Sequence, residues 1–182
     1  MATRKSQRII IWVIAIVMTI GTLGAYFIAM ITDPAAEQQA DEKKAIAAYE
    51  EQLKEQWKTN QPLAGYKANS FDKASVTELK IETLKQGDGT AAAATSTVKA
   101  NYFGWNSEGL IFDTTNKTGT PEPIEFNLGQ VIEGWREGLT GVKAGSTVKL
   151  TIPAAKAYGD TAIQPGTPTG PLVFVVELVE VK

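Results

Sequence analysis

The sequence predicts an α+β domain, an antiparallel sheet with one short helix packed across its concave face. Three observations predict it. Several short segments alternate apolar and polar residues with a period of two, the turn residues Gly, Pro, Asp and Thr separate them, and the one short stretch with helical spacing is "VIEGWREGL". No helical run of ordinary length lies between the strands, which speaks against parallel strands joined by crossover helices.

The chain has 182 residues, room for one globular domain and something extra. The extra part begins at residues 9–31, "IIIWVIAIVMTIGTLGAYFIAMI", an uncharged and mostly apolar run long enough to cross a hydrocarbon core of about 30 Å. It is expected to be a transmembrane helix. Residues 1–8 carry Arg4, Lys5 and Arg8 and no acid, while Asp33 follows the run. The positive-inside rule therefore places the N-terminus in the cytoplasm and everything after residue 31 outside it, in a single-pass membrane protein. A cleaved signal peptide has the same positive start, but its apolar region spans only about 7–15 residues.

Residues 32–60 read as a helical stalk. Ala, Glu, Gln and Lys dominate from residue 34, Pro34 suits a first helical turn, and Ile46, Tyr49, Leu53 and Trp57 form one apolar stripe. Such a helix could hold the next domain off the lipid and pair with a second stalk in a dimer, or fold back on that domain or lie on the membrane. Residues 61–77 have turn residues without a period and read as a linker. The strands follow: "TELKIET" with Leu79 and Ile81 on one face, "TVKANYFGW" with Val98, Ala100 and Tyr102, "TVKLTIP" with Val148, Leu150 and Ile152, and "LVFVVELVEV" with Leu172, Phe174, Val176 and Leu178.

Composition removes several kinds of chemistry. A net charge of −2 offers no electrostatic footprint for nucleic acid. The chain has no histidine and no cysteine, hence no imidazole base, thiol nucleophile, disulfide or ordinary zinc site, and no metal or cofactor is expected. Carboxylates, hydroxyls, the backbone and shape remain.

Five blocks then occur in order: "VKANYFGW", "IFDTT", "PIEFNLGQVIEGWREGL", "GVKAGSTVKLTIPAAKAYG" and "LVFVVEL". Together they resemble the FKBP-type peptidyl-prolyl cis-trans isomerases, the tacrolimus-binding family, over residues 78–182. The resemblance implies a half-barrel of antiparallel sheet wrapped on the short helix, and a proline pocket at stated positions. Tyr102, Asp113, Ile132 and Tyr158 stand at the catalytic positions, Ile132 through its backbone N–H. Phe112, Ile124, Phe126, Val131, Trp135, Ala157, Ile163 and Phe174 stand where the family binds substrate, with Trp135 as the groove floor. Ile124 replaces a frequent phenylalanine, and the loop "DTAIQPGTPTGP" aligns loosely, with Ile163 as the stand-in for the family's isoleucine. There is no room for an inserted flap between Tyr158 and Leu172. Partners implied are proline-containing polypeptides and tacrolimus-like macrolides.

The chemistry suits this composition. Rotation about an X-Pro bond needs no proton transfer, only relief of amide resonance, whose barrier is about 18–20 kcal/mol. A dry aromatic pocket with donors aimed at the twisted amide is sufficient. Gly134 and Gly138, each unfavourable in a helix interior by about 1 kcal/mol, would let the helix that carries Trp135 lie close against the sheet. Other readings stand beside these. The stripe Val131, Trp135, Leu139 is also a plain core face; Asp113 is either a partner of Tyr102 or a strand-end cap; Tyr158 either donates to a bound peptide or closes a turn; Tyr102 and Phe174 are walls or core. The alternative is a binding module that docks proline-containing partners in the same groove without turnover, against which the nearly complete aromatic set speaks. The triplet "NKT" at Asn116 matches a glycosylation sequon that chance also produces.

Overall fold

In "TVKANYFGW" Val98, Ala100 and Tyr102 face one side of the strand and Phe103 and Trp105 the other, and both sides are covered. The computed structural model describes residues 34–162 and 166–182, with the backbone alone for 34–40. It contains α1 (Pro34–Trp57), β1 (Lys80–Lys85), β2 (Thr97–Trp105), β3 (Ile111–Thr114), β4 (Ile124–Asn127), α2 (Glu133–Leu139), β5 (Thr147–Ile152) and β6 (Leu172–Val181). Two compact units divide the chain, Met1–Ala47 and Ala48–Lys182. The described part of the first is the opening of α1; the second holds the end of α1 and the whole sheet.

The strand order is β1-β5-β6-β2-β3, all pairs antiparallel, and β4 pairs with the first half of β2 where β3 pairs with the second. This is the expected α+β architecture. On the front face Val98, Val148, Leu150, Ile152, Leu172, Val176 and Leu178 are almost wholly buried, with Leu139 of α2 among them. At about 25 cal/mol per Å² this burial is the main stabilising term of the domain. The two glycines of α2 lie against it. A Cβ at Gly134 would stand 2.3 Å from Ile152 Cγ2, and one at Gly138 2.7 Å from Leu150 Cδ2. At Gly134 only glycine lets the helix axis come this close to the sheet, while at Gly138 the end of a leucine side chain is the neighbour.

The back face carries a second apolar cluster. Phe103 and Trp105 stack with ring centroids 5.1 Å apart, and Leu63, Ile111, Val173 and Val175 bury around them, with Tyr66, Ala68 and Phe71 at the edge. Residues 61–77, read above as a linker, therefore form a strap across the sheet. Polar bonds tie its start down: Asn60 Nδ2 donates to Ile111 O, Thr114 Oγ1 to Gln61 O and Asn116 Nδ2 to Pro62 O. Trp105 Nε1 donates to Asn69 O further on. These bonds also bury Asn116, which is only 6% exposed, so the sequon at that residue is closed to modification in the folded domain.

Among the described residues no helix is long and apolar enough to cross a membrane. The span expected at residues 9–31 lies outside the described residues.

Candidate active site

The site is built where β2, β3, β4, β6 and α2 converge on one indole. Trp135 is 4% exposed, and three rings stand edge-on around it: Tyr102 at 5.2 Å, Phe126 at 5.2 Å and Phe174 at 5.4 Å between centroids. Tyr102 meets Phe126 at 5.5 Å, and Phe112 meets Phe174 at 5.6 Å, both edge to face. Edge-to-face pairs are preferred because the positive edge of one ring meets the negative face of the next. Three rings thus hold the indole in a fixed orientation, and Phe112 extends the cluster from Phe174.

Phe112 and Asp113 are consecutive on β3, yet both belong to this site. Gly104 pairs with Asp113 and Trp105 with Ile111, so Phe112 is the extra residue of a β-bulge. A bulge breaks the alternation of faces and turns neighbouring side chains the same way. Asp113 then accepts the Tyr102 hydroxyl on Oδ2 and the Thr114 N–H on Oδ1, the latter at 2.9 Å. Burial raises the Tyr102 hydroxyl far above its ordinary value, and the bond to the Asp113 carboxylate and its charge raise it further. It remains a neutral donor at any physiological pH. The geometry contains both readings of Asp113: one oxygen partners Tyr102 and the other accepts from the backbone at the strand end.

Around this group lies a half-exposed rim. Val131, Ile132 and Ala157 pack partly buried against the front core. Ile124 is 44% exposed and Tyr158 37% exposed. Ile132 caps α2: its carbonyl accepts from Trp135 N and Arg136 N, while among the described residues its own N–H has no backbone acceptor. Tyr158 follows the 3-10 turn Ala154–Lys156, which Lys156 ties to α2 through Glu133 at 3.1 Å and through Glu137. Partial burial, then the charge of Asp113, raises the Tyr158 hydroxyl too. The structure brings together Tyr102, Phe112, Asp113, Phe126, Trp135 and Phe174 in direct contact, and sets Ile124, Val131, Ile132, Ala157 and Tyr158 at the rim. Ile163 lies outside the described residues.

A family model described as FKBP-type peptidyl-prolyl cis-trans isomerase matches residues 88–179. The chain belongs to this family. The FKBP-type domain is 41% identical over 110 residues to the FKBP-type peptidyl-prolyl cis-trans isomerase FkpA of Escherichia coli K12, which covers 60% of this chain and 40% of that protein. It is 41% identical over 107 residues to an FK506-binding protein of Streptomyces anulatus, covering 57% of this chain and 86% of that one. The chain therefore spans less than half the length of FkpA. Among solved structures, the crystal structure of E. coli FkpA superposes with a TM-score of 0.54 at 35% identity, covering 82% of this chain and 66% of that one. A peptidyl-prolyl cis-trans isomerase of Pseudomonas syringae gives a TM-score of 0.51 at 28% identity, covering 76% and 95%.

Two residues of the FKBP-type site escape sequence reasoning. Gly104 lies directly beneath the rings: a Cβ there would stand 2.5 Å from Phe174 Cε1 and 2.8 Å from Phe112 Cζ. A glycine inside an alternating strand signals such a close approach. Trp57, at the end of α1, meets Phe112 edge to face at 6.1 Å; the apolar stripe of the stalk marks it as a packing residue but does not say which ring it meets.

Proposed function

We propose that the chain is a peptidyl-prolyl cis-trans isomerase of the FKBP type, tethered to a membrane by residues 9–31, with the domain 78–182 outside the cytoplasm acting on exported polypeptides. The single observation that carries the isomerase reading is the ring-enclosed Trp135 with the Tyr102–Asp113 hydrogen bond beside it. A proline ring seated among these aromatic edges leaves water, and the amide before it enters a site of low polarity, where the charge-separated planar form loses solvation and the twisted form loses little. The Ile132 N–H supplies a donor for the carbonyl before proline, and the Tyr158 hydroxyl a second for the peptide. No group changes protonation. The anchor rests on the apolar run and the charges of residues 1–8, with 32–60 as stalk and 61–77 as the strap that joins it to the sheet. A dimer would form through the stalk on residues other than Leu53 and Trp57, whose side chains already meet Gly166 and Phe112.

The test is the cis-to-trans rate of a proline tetrapeptide with the full chain and with Asp113→Ala and Tyr158→Phe. The expected result is catalysis by the parent chain, inhibited by a tacrolimus-like macrolide and weakened in both variants. A rate equal to the uncatalysed one, with macrolide or peptide still bound, would leave a binding module instead.

A further inference from the structure

A hollow of about 500 Å³ adjoins the aromatic site on the side of Phe112 and Asp113, and its far wall is the end of α1, with Leu53, Gln56 and Trp57. All of these residues belong to the unit Ala48–Lys182. Phe112 is the shared wall: one edge meets Phe174 at 5.6 Å, the other meets Trp57 at 6.1 Å. Trp57 and Leu53 are both half-buried and keep apolar surface toward the hollow, and Lys117 stands at its rim with its side chain 71% exposed. Gly166 also lines the hollow and packs on the α1 wall, so near that a Cβ on it would stand 2.5 Å from Leu53 Cδ1.

We propose that this hollow is a second binding subsite, which takes a bulky apolar side chain of the polypeptide substrate a few residues away from the proline. The inference rests on the isomerase reading and deepens it. The occupant follows from continuity: the ring steps Trp135–Phe174, Phe174–Phe112 and Phe112–Trp57 are 5.4, 5.6 and 6.1 Å, so a chain seated at Trp135 reaches Trp57 within about five extended residues. The lining selects among side chains. Trp57, Leu53 and Phe112 form one apolar wall, which a leucine or phenylalanine would dehydrate and a serine would not, while Gln56, Thr59, Asn60, Asp113 and Lys117 make the rest of the lining polar. A catalytic domain with this arrangement reads a short apolar sequence around proline, which unfolded chains expose and folded ones bury.

The experiment compares two dodecapeptides with the same Ala-Leu-Pro-Phe centre, flanked on both sides by leucines in one and serines in the other, with kcat/KM measured by NMR exchange on the full chain. In the parent the leucine peptide is favoured by about fivefold or more, a difference set by binding energy far from the reacting bond. Trp57→Ala brings that ratio close to one, and Trp57→Phe retains most of it. Should Trp57→Ala fail to fold, Leu53→Ser carries the same expectation. A parent ratio near one, or a ratio that survives Trp57→Ala, overturns the subsite; so does a rise in rate with both peptides, which would make Trp57 an obstruction. Absence of any catalysis by the parent overturns the isomerase reading itself.

Discussion

The Tyr102 hydroxyl donates to Asp113 Oδ2 across the β2–β3 pair, where Tyr102 lies diagonal to Asp113, two residues along from its register partner Gly104. Diagonal neighbours on one face are within reach of long side chains, and here the bond holds the tyrosine ring against Trp135. A charge-assisted bond of this kind contributes about 1–3 kcal/mol. Asp113→Ala is therefore expected to lower kcat/KM by about tenfold through loss of ring placement, with Tyr102→Phe a milder loss; an assay of both at one temperature checks it.

The raised Tyr102 hydroxyl also makes a stability prediction. Its proton is held more tightly in the folded than in the unfolded chain, so its contribution is complete below the unfolded tyrosine value of about 10 and is lost as pH climbs above it. Urea denaturation should show stability falling above pH 10 in the parent and falling less steeply in Tyr102→Phe. Identical slopes would contradict it.

At Gly134 the nearest atom is the Cγ2 of a β-branched isoleucine, which cannot swing aside, whereas at Gly138 it is a leucine methyl at the far end of its side chain. Alanine improves helix propensity at both by about 1 kcal/mol, against about 1–3 kcal/mol of overpacking. Gly134→Ala is expected to destabilise by about 1–2 kcal/mol and Gly138→Ala to be nearer neutral, as read from denaturation midpoints.

Gly104→Ala places a methyl under Phe174 and Phe112, whose rings must tilt outward. The expected outcome is weaker macrolide and peptide binding by about tenfold, with a stability loss of only about 1–2 kcal/mol. Calorimetric titration beside a urea melt separates the two.

Leu63 is 4% exposed beneath the back face, so Leu63→Ala is expected to cost about 2–4 kcal/mol, near that of a front-core leucine. A merely connecting segment would lose almost nothing.

Strand periodicity, the glycine-flanked tryptophan and the five ordered blocks were legible in the chain, because a two-residue alternation and a helical stripe are local patterns that one buried face imposes on sequence. They determined the front of the sheet, α2 and the identity of most site residues. Other features were decided by tertiary structure alone. Phe112 and Asp113 share a face because of a bulge, which depends on how β3 pairs with β2. The back cluster of Phe103 and Trp105 found its cover in an aperiodic segment, since a strap buries single residues such as Leu63 and leaves no repeat to read. Trp57 reaches Phe112 across more than fifty residues of sequence, a meeting that no local pattern encodes because only the packed sheet brings those rings together.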